Sequence, residues 1–224
     1  MTRIVNNCVA LVCLCLFWGQ SLRAADASHS EQIKWGNESV FNEEHNTLGL
    51  FSGVLGGQIV LAGGTSDDYS RWGRNAVCLS ENAGFALYED VLSKPLAYGA
   101  SITLSDGILC IGGRDSSQCY EDVFFVTMQQ GKLNVSEDWP PLPFPLSNAA
   151  GALLDNKVYL FGGRKSVSPS RLSDSFFVLD LSNKSRGWKE LPGYPGCVRE
   201  DAILVVQNNG VSPCLYLLGG QTET

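Results

Sequence analysis

The side chains with the clearest chemical potential in this sequence are arginines that recur at one place in a repeated pattern. Arg114 and Arg164 each follow a Gly-Gly pair directly, and Asp115 stands beside Arg114. A guanidinium presents parallel N–H donors that match a carboxylate, so converging arginines are typical of a site for an acidic ligand. Each arginine also suits an ion pair with a nearby Asp or Glu, and the sequence leaves both interpretations open. The candidate ligand-binding residues are Arg71, Arg74, Arg114, Asp115, Arg164 and Arg199.

Other kinds of site find little support in the sequence. The histidines are His29 and His45, which are too few for a clustered metal site or a Ser-His-Asp triad. None of the Gly-Gly pairs is followed by the Gly-Lys-Ser or Gly-Lys-Thr of a phosphate loop. We therefore expect neither a metal nor a cofactor. The net charge of -7 repels phosphate backbones, so a nucleic-acid partner is not expected either.

The arginines belong to a repeat that is most complete at 153–164. That stretch predicts two strands joined by a polar turn and ended by Gly162-Gly163. The same pattern occurs at 54–64, at 102–114 and, in part, at 216–220. The first glycines of the four pairs are separated by 49, 50 and 57 residues. A period near 50 with a Gly-Gly after the second strand is typical of a kelch β-propeller blade.

We therefore predict an all-β fold of four-stranded antiparallel blades. The blades are expected at 48–90, 98–139 and 147–191, with part of a fourth at 200–224. Within the second blade, Asp106-Gly107 predicts a two-residue hairpin turn with positive φ. Trp139 and Trp188, each followed by Leu and Pro, are assigned to outer strands. The strand lengths and spacings predict few if any helices.

The N-terminal residues have the pattern of a secretory signal peptide. Arg3 precedes an apolar run over 9–18, and Ala25-Asp26-Ala27 is a small-x-small pattern that favours cleavage. A membrane anchor is the alternative, although the run is short for a bilayer span. We predict a signal peptide over 1–27, a secreted or periplasmic location, and no membrane span. Residues 28–47 form a connecting segment in which Ile33-Lys34-Trp35 is predicted to be an outer strand that closes the ring.

The junctions between blades carry a resemblance to a known family. Tyr98-Gly99-Ala100 before a strand, the stretch 188–201, and Trp35 followed by Gly49-Leu50-Phe51 resemble the N-acetylneuraminate epimerases (sialic acid mutarotases) in a cyclically permuted form. The resemblance implies a six-bladed propeller that interconverts the anomers of N-acetylneuraminate, with this sugar as ligand. It also implies a catalytic Glu after the second strand of one blade and an Arg shortly beyond it.

No position of this sequence inherits that catalytic pair. By blade order its strands fall beyond Thr224, and Arg114 and Arg164 stand where the Glu would follow a Gly-Gly. Because three and a half blades do not close a ring, we expect the chain to be an incomplete and inactive portion of a mutarotase. An isomerase activity is expected only of a complete propeller. The alternative is a non-catalytic kelch propeller that binds a glycan or a protein.

Overall fold

The computed structural model describes residues 48–80 and 84–222. They all lie in one unit, formed by residues 40–224. The signal peptide and the closing strand predicted at 33–35 lie outside the described residues. Within them, no helix has the length and apolar character needed to cross a bilayer.

The described chain forms three four-stranded antiparallel sheets and a final hairpin. Blade 1 contains β1 (Phe51–Leu55), β2 (Gln58–Ala62), β3 (Ala76–Ser80) and β4 (Gly84–Tyr88). Blade 2 contains β5 (Ala100–Thr103), β6 (Ile108–Ile111), β7 (Val123–Gln129) and β8 (Lys132–Ser136). Both sheets follow chain order, because each strand pairs with the next one. The prediction of an all-β kelch propeller is confirmed.

Blade 3 and the hairpin repeat this order with one insertion. Blade 3 contains β9 (Ala150–Leu154), β10 (Lys157–Phe161), β13 (Phe176–Asp180) and β14 (Lys189–Leu191). A short ribbon of β11 (Arg164–Ser166) and β12 (Arg171–Leu172) extends its Gly-Gly loop. A 3-10 helix (Leu181–Arg186) precedes β14, and blade 4 consists of β15 (Glu200–Asn208) paired with β16 (Pro213–Gln221).

The first strand of each blade is the inner one. β1 contacts β5, β5 contacts β9, and β9 contacts β15, so successive blades converge at these strands. Polar side chains join them: the amide of Ser52 donates to Ser101 Oγ at 3.0 Å, and that of Val54 to Thr103 Oγ1 at 3.2 Å. The face at which the first strands begin and the second strands end carries the Gly-Gly pairs, and we call it the Gly-Gly face.

The core consists of apolar layers between neighbouring blades. Ile108 and Cys110 of β6 pack toward blade 1, whereas Leu109 and Ile111 of the same strand pack toward blade 3. All four are buried. Burial on both faces explains why the strands read as continuous apolar runs rather than as alternating patterns. In β15, Leu204 packs on blade 3 while Ile203 faces away and is 48% exposed.

The prediction for the turn at Asp106-Gly107 was wrong, because neither residue has positive φ. Gly107 is needed there for space, because a Cβ would lie 2.3 Å from the Phe125 ring. Turns with positive φ at both central residues join the first two strands of blades 1 and 3 instead, at Gly56-Gly57 and Asp155-Asn156.

The tryptophans assigned to outer strands lie just outside them. Trp139 follows β8, and Trp188 precedes β14. Each is used for packing: Trp188 Nε1 donates to the Pro140 carbonyl at 3.0 Å, and Trp139 lies 5.2 Å from the Phe125 ring. The Trp188 contact joins blades 2 and 3 at their outer ends, whereas the Trp139 contact lies within blade 2.

The Gly-Gly pairs of blades 1, 2 and 3 each join their blade to the next one. The amides of Gly64, Gly113 and Gly163 donate to the carbonyls of Leu96, Leu146 and Arg199 at 2.8–2.9 Å. A Cβ on the glycine before each of these would lie only 2.2–2.4 Å from the same carbonyl oxygen. The first glycine therefore makes room for the hydrogen bond that the second one donates.

This arrangement can be tested at Gly112. We expect Gly112→Ala to lower the free energy of unfolding by more than about 3 kcal/mol, since it combines a left-handed φ with a clash against backbone. Gly131→Ala is the matched control, because Gly131 also has positive φ but has nothing within 4 Å of its Cβ position. The control should lose about 1–2 kcal/mol, the cost of the left-handed conformation alone. Urea unfolding measures both, and equal losses would contradict the interpretation.

Candidate functional site

The residues that begin the inner strands form a continuous line across the Gly-Gly face. Gly49, Tyr98, Asn148 and Asp201 all have left-handed backbones, with φ between 53° and 64°. The amide of Tyr98 donates to the Gly49 carbonyl, that of Asn148 to Tyr98, and that of Asp201 to Asn148, at 2.7–3.0 Å. One such residue per blade therefore lies at the same level. A left-handed conformation is uncommon outside glycine, so the three side chains occupy a constrained position.

Arg114 lies beside this line in a cage of aromatic rings. Its guanidinium carbon is 4.6 Å from the Tyr98 ring centroid, 5.1 Å from that of Trp72 and 6.0 Å from that of Tyr69. The three rings also pack on one another at 6.4–6.5 Å. Trp72 Nε1 donates to the Tyr69 carbonyl at 3.1 Å, which holds the loop that supplies two of the rings. The cage fixes the guanidinium plane before any ligand arrives.

Arg114 has no carboxylate partner within residues 48–80 and 84–222. Its Nη1 makes one long contact, 3.4 Å to the Asp115 carbonyl. Its Nε is buried and makes no hydrogen bond. A buried donor without a partner costs about 1–3 kcal/mol, so the geometry favours a ligand that accepts from this guanidinium.

The remaining arginines of the sequence prediction are occupied in other ways. Arg164 donates Nε and Nη2 to the two carboxylate oxygens of Glu200, at 2.8 Å for Nε. Arg74 is paired with Asp90, which follows the outermost strand of blade 1. Arg199 donates to the Gly219 carbonyl at 2.7 Å and lies over the Tyr194 ring. Arg71 presents its backbone carbonyl to Thr65 Oγ1 at 2.7 Å.

Arg114 and Arg164 nevertheless belong to one connected region. Arg114 bridges to Cys119, the Cys119 thiol lies 3.4 Å from Ser147 Oγ, and Ser147 bridges to Arg164. Burial raises the pKa of the Cys119 thiol, which keeps it neutral. The two arginines thus lie on successive blades, but only Arg114 is available to a ligand.

Tyr98 stands where the cage meets the line of left-handed residues. Its hydroxyl lies 3.4 Å from that of Tyr69. Burial raises the pKa of Tyr98, and the hydrogen bond with Tyr69 raises it further. The phenol is therefore neutral at physiological pH. The charge of Arg114 acts to lower the pKa of Tyr98 and that of Asp201 acts to raise it, each by less than burial does.

The sequence prediction did not include the aromatic cage or the pair formed by Asn148 and Asp201. Tyr69 and Trp72 come from the loop after β2, and Tyr98 comes from the next blade. Nothing in their spacing indicates a common ring cluster. Tyr98 and Asp201 fall within the junction stretches that carried the family resemblance, which is the one signal that could have found them. Among the described residues, no group of His, Cys, Asp or Glu side chains is arranged to hold a metal.

Asp115, also predicted as a ligand residue, organises its own loop. Its Oδ1 accepts from the amides of Ser117 and Gln118 and from Ser117 Oγ, at 2.7–2.9 Å. Its Oδ2 accepts from the Tyr120 hydroxyl at 2.6 Å. Partial burial acts to raise the pKa of Asp115, but these hydrogen bonds outweigh it and lower the pKa to about 2.

The role of Asp115 predicts a pH-dependent contribution to stability. Because its pKa is lower in the folded chain than the usual 3.8, the contribution is complete above pH 3.8 and is lost as the pH falls through about 2. We expect Asp115→Asn to cost about 1 kcal/mol at pH 6, after allowing for solvent screening, and almost nothing near pH 2. Urea unfolding at both pH values measures this, with Asp106→Asn as control. A pH-independent loss would point to packing rather than charge.

Comparison with known proteins places these features in a family context. The kelch motif family matches residues 145–192, which cover blade 3. An N-acetylneuraminate epimerase of Vibrio cholerae is 32% identical over 101 residues, covering 45% of this chain and 23% of that protein. One from Yersinia pestis is 32% identical over 89 residues, covering 40% of this chain and 20% of that protein. The chain thus matches about a fifth of the length of these curated relatives.

Structural comparison supports the same fold. The solved structure of YjhT superposes with a TM-score of 0.62 and 13% identity, covering 78% of this chain and 62% of that one. At this identity the likeness establishes the fold alone. Together with the repeated Gly-Gly hydrogen bonds, these findings show a β-propeller fold with a kelch motif in blade 3 and a partial similarity to the N-acetylneuraminate epimerases.

Proposed function

We propose that this protein holds an acidic sugar of the N-acetylneuraminate type on its Gly-Gly face, as part of a mutarotase-like propeller. The observation that carries the proposal is Arg114, a guanidinium fixed by three aromatic rings and without a carboxylate partner in the described chain. A sugar carboxylate accepts charge-assisted hydrogen bonds from such a group. The names of the partial relatives supply the sugar class.

The surrounding residues suit a sugar better than a simple anion. Tyr69 is half exposed, and the rings of Tyr69 and Trp72 give an apolar surface against which the C–H groups of a pyranose can pack. Asn148 and Asp201 add polar groups along the same line. Aromatic side chains combined with a few fixed polar groups are typical of small-molecule recognition.

Binding can be tested by titrating the 224-residue protein with N-acetylneuraminate, using NMR or calorimetry. We expect Arg114→Lys to weaken binding by about 10-fold or more, because a lysine cannot reproduce two parallel hydrogen bonds. N-acetylmannosamine, which lacks the carboxylate, should bind weakly to wild type and variant alike.

Arg186→Lys is the matched control for this substitution. Arg186 lies exposed in the 3-10 helix between β13 and β14, on the face opposite the Gly-Gly pairs. It should leave the affinity unchanged. Equal binding of the acidic and the neutral sugar would contradict the carboxylate assignment.

Catalysis makes a further demand on the site. Mutarotation needs one group to take the proton of the anomeric hydroxyl and another to protonate the ring oxygen. Glu200 is held through both oxygens by Arg164, and Asp115 has a pKa of about 2 and a full set of hydrogen bonds. Tyr98 has a raised pKa and is a poor proton donor. In the described part of the site, Asp201 remains without a suitable acid partner.

We therefore expect the 224-residue chain to bind the sugar without accelerating anomer exchange. Proton NMR of freshly dissolved N-acetylneuraminate, followed with and without protein, measures the rate directly. A positioned acid and base usually accelerate such a proton transfer by a factor of about 10² to 10⁴, so their presence would be evident in this rate. Clear acceleration would show that the described residues supply both groups. The positive control is the same measurement with a complete epimerase added.

The alternative function is a propeller that binds a glycan or a protein without any link to anomer exchange. The aromatic cage is compatible with it, because Tyr69 and Trp72 form an accessible apolar surface. Preference for free N-acetylneuraminate over its glycosides separates the two. A mutarotase site must accommodate the free anomeric hydroxyl, whereas a glycan-binding site must tolerate its substitution.

A further inference from the structure

Asp201 differs from Asp115 and Glu200, the other carboxylates described on the Gly-Gly face, in that it makes only one hydrogen bond through its side chain. Its Oδ1 accepts one hydrogen bond, from Asn148 Nδ2 at 2.8 Å. Its Oδ2 has no hydrogen-bond partner in the part of the chain that the structure describes, and the residue is exposed. The adjacent Glu200 is buried and tied to Arg164. Asp201 is thus a fixed carboxylate with one oxygen available.

Asn148 holds that carboxylate in place. Because a carboxylate only accepts hydrogen bonds, the contact requires Asn148 to direct its NH₂ group to Asp201 and its Oδ1 the other way. Asn148 Oδ1 is buried and makes no hydrogen bond, one of two such side-chain atoms found in the described residues, the other being Arg114 Nε. The structure therefore accepts an unsatisfied amide oxygen while keeping the bond to Asp201. Both backbones are also left-handed, which adds conformational cost.

We propose that Asp201, oriented by Asn148, is a specificity-determining residue that accepts a hydrogen bond from a hydroxyl or amide N–H of the sugar. This inference rests on the proposed function, in which Arg114 holds the carboxylate. Arg114 belongs to blade 2 and Asp201 to blade 4, so the donor lies on the part of the ligand remote from its carboxylate. Asn148 acts as a positioning residue.

This arrangement selects a class of ligand. An acid with hydroxyl or amide donors at its far end satisfies Arg114 and Asp201 together. Both kinds of acid bring a second negative charge to the site, but only an acid with such donors also makes a hydrogen bond to Asp201 that offsets the repulsion. The site should thus prefer polyhydroxylated or N-acylated sugar acids over plain carboxylic acids.

The test compares two probes on the full chain by NMR titration. N-acetylneuraminate carries a carboxylate and several donors, and cyclohexanecarboxylate carries a carboxylate on a six-membered ring without donors. We expect Asp201→Asn to weaken the binding of N-acetylneuraminate by about 10-fold. The same substitution should leave the affinity for cyclohexanecarboxylate unchanged or slightly increased. Asn148→Gly, which retains left-handed tolerance, should reduce the same preference. Arg114→Lys should weaken both probes.

Asp155→Asn is the matched control, because Asp155 is also a left-handed aspartate but lies on the opposite face, in the turn between β9 and β10. It should change neither affinity. If Asp201→Asn lowers both affinities equally, the inference is overturned while the carboxylate site at Arg114 stands. If wild type binds neither probe, the proposed function and this inference fall together. Circular dichroism of each variant shows that it is folded, and Asn148→Gly tests the preference should Asp201→Asn be unstable.

Discussion

The hydrogen bond from the second glycine of each Gly-Gly pair to the next blade is the constraint on which this structure depends. Three such bonds, from Gly64, Gly113 and Gly163, join the end of one second strand to the segment that leads into the following inner strand. The first glycine of each pair has no room for a Cβ beside the accepting carbonyl. Blade spacing is thus set by backbone contact at one face, and the apolar layers between sheets fill the space that this spacing leaves.

The same constraint decides where chemistry can be placed. The residue after each Gly-Gly pair leaves the sheet at the mouth of the propeller, and the residue that begins each inner strand is brought to the same level in a left-handed conformation. The residue types at these two positions differ from blade to blade, whereas the backbone hydrogen bonds beside them recur. Arg114 fills the first position in blade 2, and Tyr98, Asn148 and Asp201 fill the second in successive blades. A site built this way changes its ligand by changing side chains on an unchanged frame.

Much of the fold could be predicted from the sequence, because the repeat encodes it. The pairs of strands that the repeat predicts at 54–64, 102–114 and 153–164 are observed as β1 with β2, β5 with β6, and β9 with β10. Arg114 was among the candidate ligand-binding residues, since it follows a Gly-Gly, and its role in binding stays a prediction. The prediction of a positive-φ turn at Asp106-Gly107 was wrong because the glycine serves packing against Phe125, a contact with a residue 18 positions away. The role of a glycine depends on the residues that surround it in the folded protein.

The aromatic cage, which sequence reasoning missed, likewise depends on residues that are distant in sequence and close in space. Tyr69, Trp72 and Tyr98 become one cage only because adjacent blades are held at a fixed spacing. Likewise, the sequence did not distinguish among the six candidate ligand contacts, which are Asp115 and five arginines, Arg71, Arg74, Arg114, Arg164 and Arg199. The three-dimensional contacts separate the arginines, because Glu200 neutralises Arg164, Asp90 pairs with Arg74, and Arg114 has no opposite charge beside it in the described part of the chain.

This separation of roles has an electrostatic consequence for the whole site. Arg164 and Glu200 neutralise each other at a partly buried position at the junction of blades 3 and 4, where loss of either partner would leave a buried charge uncompensated. Arg114 and Asp201 are both left without an ion-pair partner in the described chain, and they lie two blades apart. Aromatic faces stabilise the isolated cation, and an amide orients the isolated anion. Under the proposed function, a ligand with an acid at one end and hydrogen-bond donors at the other would satisfy both groups, which would distinguish a sugar acid from a simple anion or a neutral sugar.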